Sequence, residues 1–584
     1  MIRLAVVLSL AILCGCLSHA AWAVDGQCEG AAAFDRFADS YLDFGFKEHP
    51  SSATELGVHD YDGQMEDFSA AAVENRIKGL KDMAAGLEQI KVADLDKTRR
   101  LDAQLLKNDI GANLLELEQV QMWRKYPDQY SSSCTASVFA LMKRNFAPLE
   151  ERLKSVISRE KQIPACLKAA RQNLSNPPRI YTEIALEQMP GIVDFFKKSV
   201  PEAFKSVTDE KLQSELAEVN AQAVAELAAY ERFLKDDLLP RSTGQFALGE
   251  KLYSQKLLLE EMVDTPIDAL LARGETELRR LQAEFEATAR QIDRERPPRV
   301  VFESLSSDHP AASRLITSVS GVLEDIRKFC VDKEIVTIPS EERVKVDETP
   351  PFARALSFAS MDTPGPFETK AREAYYFVTL PEPTWTKTKA EEHMRAFSTY
   401  DLLNTSVHEA YPGHYVQFLW VPHVPSKVRK VIGCGSNAEG WAHYCEQMMV
   451  DEGFEGGNPR LKLMQLHDAL LRACRYICGI RMHTRGMTLA QSIKFFMDEG
   501  YQEKANAERE SKRGTMNPTY LVYTLGKLDI LALRDDYRKA AGDKYSLKDF
   551  HDRFLAQGFP PLKIVRAALL DNADPPSTRP LAAR

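Results

Sequence analysis

Thr405-Ser406-Val407-His408-Glu409-Ala410-Tyr411-Pro412-Gly413-His414-Tyr415 places two histidines and a glutamate in a stretch whose flanking pattern is helical. Two imidazoles on a helix reach one ion when they lie four residues apart, because positions i and i+4 share a face. Here six residues separate His408 from His414. At about 100° per residue, an unbroken helix would turn them roughly 120° apart. Pro412-Gly413 removes the conflict. Proline has no backbone N–H to donate and clashes with the preceding turn, while glycine accepts distorted dihedrals. Two residues looped out there return His414 to the face of His408. The same pair could simply end a helix, and spacing alone leaves both readings open.

A second element favours the metal reading. Glu439-Gly440-Trp441-Ala442-His443-Tyr444-Cys445-Glu446 lies 25 residues beyond His414 and has the character of a helix start. Glutamate-type zinc hydrolases take a third ligand from such a downstream helix and leave the fourth position to water. Two imidazoles and a carboxylate suit zinc better than the all-oxygen sites of magnesium or calcium. His408, His414 and Glu439 are therefore the candidate ligands, and Glu409 is the candidate base that takes a proton from the attacking water.

His408-Glu409-Ala410-Tyr411-Pro412-Gly413-His414 followed by Glu439-Gly440-Trp441-Ala442 resembles the domain of unknown function 885 family, which is grouped with the gluzincin-type metallopeptidases. Pro50-Ser51-Ser52-Ala53-Thr54-Glu55-Leu56-Gly57 is similar to its N-terminal signature. Pro518 with Tyr523-Thr524-Leu525-Gly526-Lys527 is similar to its C-terminal one, so the likeness covers nearly all of the chain beyond the leader. The resemblance implies a large, mostly helical metallopeptidase-like body with a deep cleft, as in thimet oligopeptidase or angiotensin-converting enzyme. It also implies peptidase chemistry, with no particular substrate attached.

Such chemistry needs a donor for the developing oxyanion and a group for the substrate terminus. Tyr523 is the candidate donor, with a core tyrosine as the plain alternative. Arg513 could pair bidentately with a C-terminal carboxylate. Its run, Glu508-Arg509-Glu510-Ser511-Lys512-Arg513, reads more simply as a solvated helix face. His483 is open between a transition-state donor and a packed side chain. His443 stands where the family pattern often has an apolar residue, and reads more simply as a partly buried neutral histidine than as a support for the ligands or an additional ligand. His423, His467 and His551 have no supporting context.

Outward from this core, the chain reads as mostly α. Phe34, Phe37, Tyr41 and Phe44 recur at helical spacing, with a stop and a new start at His49-Pro50. Residues 70–239 show long helical patterns, with Pro127, Pro164, Pro177-Pro178 and Pro190 expected at the joints. One small sheet near the active site is expected from Val344-Lys345-Val346, Ala355-Leu356-Ser357-Phe358 and Tyr375-Tyr376-Phe377-Val378. Helix returns after Thr399. The expected division is a signal segment at 1–23, an N-terminal helical region at 24–240 that forms part of the cleft wall, and a catalytic region at 241–584.

Arg3, the apolar run Leu4 to Leu17 and the small-x-small triplet Ala21-Trp22-Ala23 form an export signal. Cleavage after Ala23 is preferred over lipidation of Cys16, although Leu13-Cys14-Gly15-Cys16 resembles a lipobox. The expected location is periplasmic or secreted, with no transmembrane helix in the mature chain. With 75 basic against 84 acidic residues and no basic stripe, nucleic acid is excluded as a partner. The function expected is zinc-dependent hydrolysis of oligopeptides or another small amide. Hydrolysis of a different amide or ester, or peptide capture without catalysis, are the alternatives.

Overall fold

The computed structural model describes residues 30–354 and 358–570. The export signal, Cys16 and Cys28 lie outside these residues, as do Ala355-Leu356-Ser357 of the second strand candidate. Helices dominate, and one three-stranded sheet is present among the described residues. The first helix runs over residues 30–48, and Pro50 opens the next, Pro50–Leu56. That placement suits proline, which lacks only an N–H that the first helical turn would leave unpaired.

Pro127 and Pro178 sit immediately before helices Asp128–Met142 and Arg179–Asp194, and Pro164 lies in the first turn of Ile163–Asn173. Pro190 departs from the expectation because it lies inside the helix Arg179–Asp194. The chain passes there into a wide π-type turn at Phe195–Ser199, a local adjustment that lets a helix carry a proline onward.

Strand β1 is Lys345–Glu348, β2 is Ala359–Asp362 and β3 is Tyr375–Val378. Their order is β1-β3-β2, with β1 parallel and β2 antiparallel to β3. The second strand in chain order, β2, begins directly after Phe358. Its position leaves β2 at an edge. Arg144 Nη2 donates to Asp362 at the end of this edge, 2.6 Å away, so the N-terminal region helps to fix it. A buried ion pair between Arg429 and Asp102, also 2.6 Å, joins the same two regions elsewhere.

Six helices surround the candidate site: α1 (Thr399–Glu409), α2 (His414–Trp420), α3 (Gly435–Asp451), α4 (Pro459–Thr484), α5 (Lys504–Met516) and α6 (Val522–Ala541). One hydrophobic core runs from β3 (Tyr376, Val378) through α1 (Val407) and Tyr411 to Trp441 and Tyr444 of α3. The backbones of α3 and α6 touch. A Cβ on Gly440 would lie 2.5 Å from Gly526 Cα, and one on Gly526 would lie 1.9 Å from Ser436 O. This crossing sets Tyr523, one turn before Gly526, against Glu439, the neighbour of Gly440. No helix among the described residues is long and apolar enough to cross a membrane. Among the described residues seven cysteines, Cys474 and Cys478 included, are buried free thiols.

Candidate metal centre

The helix that carries His408 stops at Glu409, and a new one begins at His414. Between them the chain reverses so sharply that a Cβ on Gly413 would lie 1.8 Å from His408 O and 2.4 Å from Val407 O. Gly413 N–H donates to Val407 O, and Trp441 Nε1–H donates 2.9 Å to Pro412 O, which ties the reversal to α3. The Tyr411–Pro412 peptide is cis. His414 is thereby swung back onto His408, with ring centroids 4.9 Å apart and nearly perpendicular. Because the contact at Gly413 is with backbone that cannot yield, Gly413→Ala is expected to cost about 3 kcal/mol or more of stability. Urea denaturation would measure it, and a wild-type midpoint would contradict this geometry.

Glu439 completes a three-cornered cluster. Its Oε2 lies 3.4 Å from His408 Nε2 and 3.3 Å from His414 Nε2, and no hydrogen bond satisfies that buried oxygen. Ligands about 2.0–2.1 Å from a tetrahedral ion are separated by about 3.3 Å, so these three groups are spaced to hold a metal ion. One ligand atom from each residue lies within 4.8 Å of the others, the only such set among the described residues. Burial opposes the charge on Glu439, but the two imidazoles outweigh it and hold its pKa well below the usual carboxylate range. The His414 side chain is 12% exposed and that of Glu439 29%, so the cluster opens to solvent on one side.

His408 is held from behind. Its Nδ1–H donates 2.6 Å to Glu446 Oε1, which leaves Nε2 free as a ligand atom. Glu446 is fully buried, and it also accepts from His443 Nδ1 at 3.0 Å and Arg472 Nη2 at 2.9 Å. Burial would raise the pKa of Glu446, yet Arg472, His443 and His408 hold it well below the ordinary range. Burial drives the His443 pKa down to about 3, so this histidine is neutral and supports Glu446.

Glu409 sits beside the cluster and not in it. Burial raises its pKa against the pull of His408 and His414, and the Met361 backbone on β2 hydrogen bonds to it. Tyr523 is also brought to the cluster. Its hydroxyl donates 2.9 Å to Glu439 Oε1 and accepts from Arg513 Nη2 at 2.8 Å, and burial raises its pKa to about 12. Arg513 is thus drawn inward, in place of the solvated face that its charged run suggested.

His483 is a correction. Its Nε2 bonds Gly514 O at 2.8 Å and its ring packs against Phe246 and Tyr253, so it is a buried side chain and not a transition-state donor. Burial takes its pKa down to about 4. His551 is buried on Ile335 O, and the half-buried His467 faces Tyr501 O.

A family model, bacterial protein of unknown function DUF885, matches residues 50–569. The chain belongs to this family. Two solved structures share its fold. One, described as "a putative lipoprotein of unknown function from Shewanella oneidensis", is 27% identical with a TM-score of 0.75, and the match covers 92% of this chain and 99% of that one. The other, from Colwellia psychrerythraea and also described as a lipoprotein of that tentative kind, is 18% identical with a TM-score of 0.72 over 92% and 98% of the two chains. No curated protein matches the chain.

Proposed function

We propose that this DUF885 protein is an exported zinc-dependent hydrolase, a peptidase that acts on short peptides. One observation carries the reading. The unsatisfied Glu439 oxygen, equidistant from two Nε2 atoms, lies beside a carboxylate, Glu409, that does not join the cluster. His408, His414 and Glu439 would hold the ion. Bound there, zinc would supply Lewis acidity, polarising a carbonyl and acidifying water.

The chain's own groups do the rest. Glu409, its basicity increased by burial, takes the proton from the attacking water and passes it to the leaving nitrogen. Glu446 and Arg472 fix the His408 ring. Tyr523 holds Glu439 in place and, by turning its O–H, can donate to the developing oxyanion. The likeness to gluzincin peptidases and their deep cleft belongs to this proposal, as does the exclusion of folded substrates. A protein that only captured peptides would have no use for Glu409.

Export rests on the N-terminal segment. Cleavage after Ala23 remains the preferred outcome, and the lipoprotein description of the Shewanella oneidensis relative supports lipidation of Cys16 as the alternative. An intact-mass measurement of the membrane-associated protein would show diacylglycerol on that residue in the second case.

Incubation with a mixed peptide library, read by mass spectrometry, tests the function. Zinc-loaded protein should release fragments, and chelator-treated protein should release none until zinc is restored. An untouched library would overturn the peptidase reading.

A further inference from the structure

Three arginines, Arg472, Arg475 and Arg513, surround the Tyr523 ring, and Arg509 lies one turn from Arg513 on α5. Arg472 pairs with Glu446. Arg475 makes a bidentate pair with Glu510 at 2.6 and 2.8 Å, and its guanidinium lies 4.8 Å from the Tyr523 ring centre. Arg513 and Arg509 are one turn apart on α5, and both lie in the field of Glu510, the carboxylate that Arg475 already holds in a bidentate pair. Arg513 meets only the Tyr523 hydroxyl as a hydrogen-bond partner, with its guanidinium 5.7 Å from that ring. Arg509 lies over Phe358, 4.2 Å from the ring centre, and burial depresses its pKa. Phe358 precedes the edge strand whose Met361 touches Glu409, so this platform continues into the candidate site.

Three partly buried guanidinium groups around one carboxylate leave positive charge uncompensated, and a ligand carboxylate would relieve that cost. Their position limits which carboxylate it is. Arg513 and Glu439 share one phenol oxygen, so the guanidinium stands a single hydroxyl away from a ligand of the proposed ion. Successive Cα atoms in a peptide are about 3.8 Å apart, so a chain terminus this close belongs to the residue directly after the bond being cut.

We propose that Arg513 and Arg509 form the subsite for the free α-carboxylate of a peptide, making the protein a carboxypeptidase that removes one residue at a time. This inference rests on the peptidase reading above and gives it a direction. Water adds to the last peptide carbonyl and the C–N bond breaks. The proton taken by Glu409 goes to the leaving amine, and the products are the shortened peptide acid and one free amino acid.

Binding separates this idea from catalysis. Zinc-loaded Glu409→Gln protein is mixed with a pool of N-acetylated tripeptides, half as free acids and half as carboxamides, and the retained species are weighed by mass spectrometry. Free acids should be retained on the order of 10–100-fold better than amides, as expected for a charge-assisted bidentate contact. Arg513→Gln should abolish that preference. Arg509→Gln, which removes the second guanidinium of the subsite and its contact with Phe358, should reduce it, and Arg509→Lys should restore part of it. Equal retention of acids and amides, retention of neither, or a preference that survives both glutamine substitutions overturns the subsite. A preference without any hydrolysis by wild type would leave the subsite standing and remove the peptidase reading instead.

Discussion

Glu409→Gln is expected to lower turnover by about 10²–10⁴-fold while zinc content stays at the wild-type level. The substitution keeps the side chain's size and its reach to the Met361 backbone, but it removes the carboxylate that accepts a proton. Glu409 is not one of the three clustered groups, so loss of metal is not expected. Burial already raises the pKa of this carboxyl, which brings the base nearer to the working pH and makes its removal costly. Equal turnover by wild type and variant, in steady-state assays on any cleaved peptide, would refute the assigned role.

Glu439→Gln should fail differently. It removes the negative charge between two imidazoles and replaces Oε2, the atom 3.3 and 3.4 Å from both, with a neutral group. Zinc affinity should fall by more than the about 10–100-fold lost when only a supporting hydrogen bond is removed. Activity should return in part when zinc is added in excess, because the base and the supporting groups remain. Competition with a chromogenic chelator would measure the affinity. A variant that binds zinc as tightly as wild type would remove Glu439 from the ligand set.

The sequence announced the helical body, the interruption at Pro412-Gly413 and the three clustered residues, because each rests on short-range periodicity or on glycine and proline chemistry. The supporting shell behind His408 was less visible. Glu446 lies two turns after Glu439, on the face that also carries His443, so a helical-face reading of α3 contained that signal. Arg472 is 64 residues from His408, and no local pattern links them. Only the packing of α4 against α1 and α3 brings it to Glu446. Tyr523 was left open between core and site because a phenol suits both. The Gly440–Gly526 crossing settles where it sits, and that contact is a property of two helices and not of either sequence alone. His483, open between donor and packing in the sequence, is placed by the length of its helix. It follows the site residues of α4 on the same helix, but the extra turns carry it beyond the cluster to Gly514. The second strand moved past Phe358 because its register is fixed by pairing with β3, from Ala359 opposite Val378 to Asp362 opposite Tyr375.

Metal content tests the central claim most directly. Purified protein, equilibrated with zinc and freed of excess by gel filtration, should carry about one zinc per chain by inductively coupled plasma mass spectrometry. Glu439→Gln prepared in the same way should carry far less. Wild-type protein that emerges without zinc, or a variant that retains as much as wild type, would contradict a metal centre built from His408, His414 and Glu439.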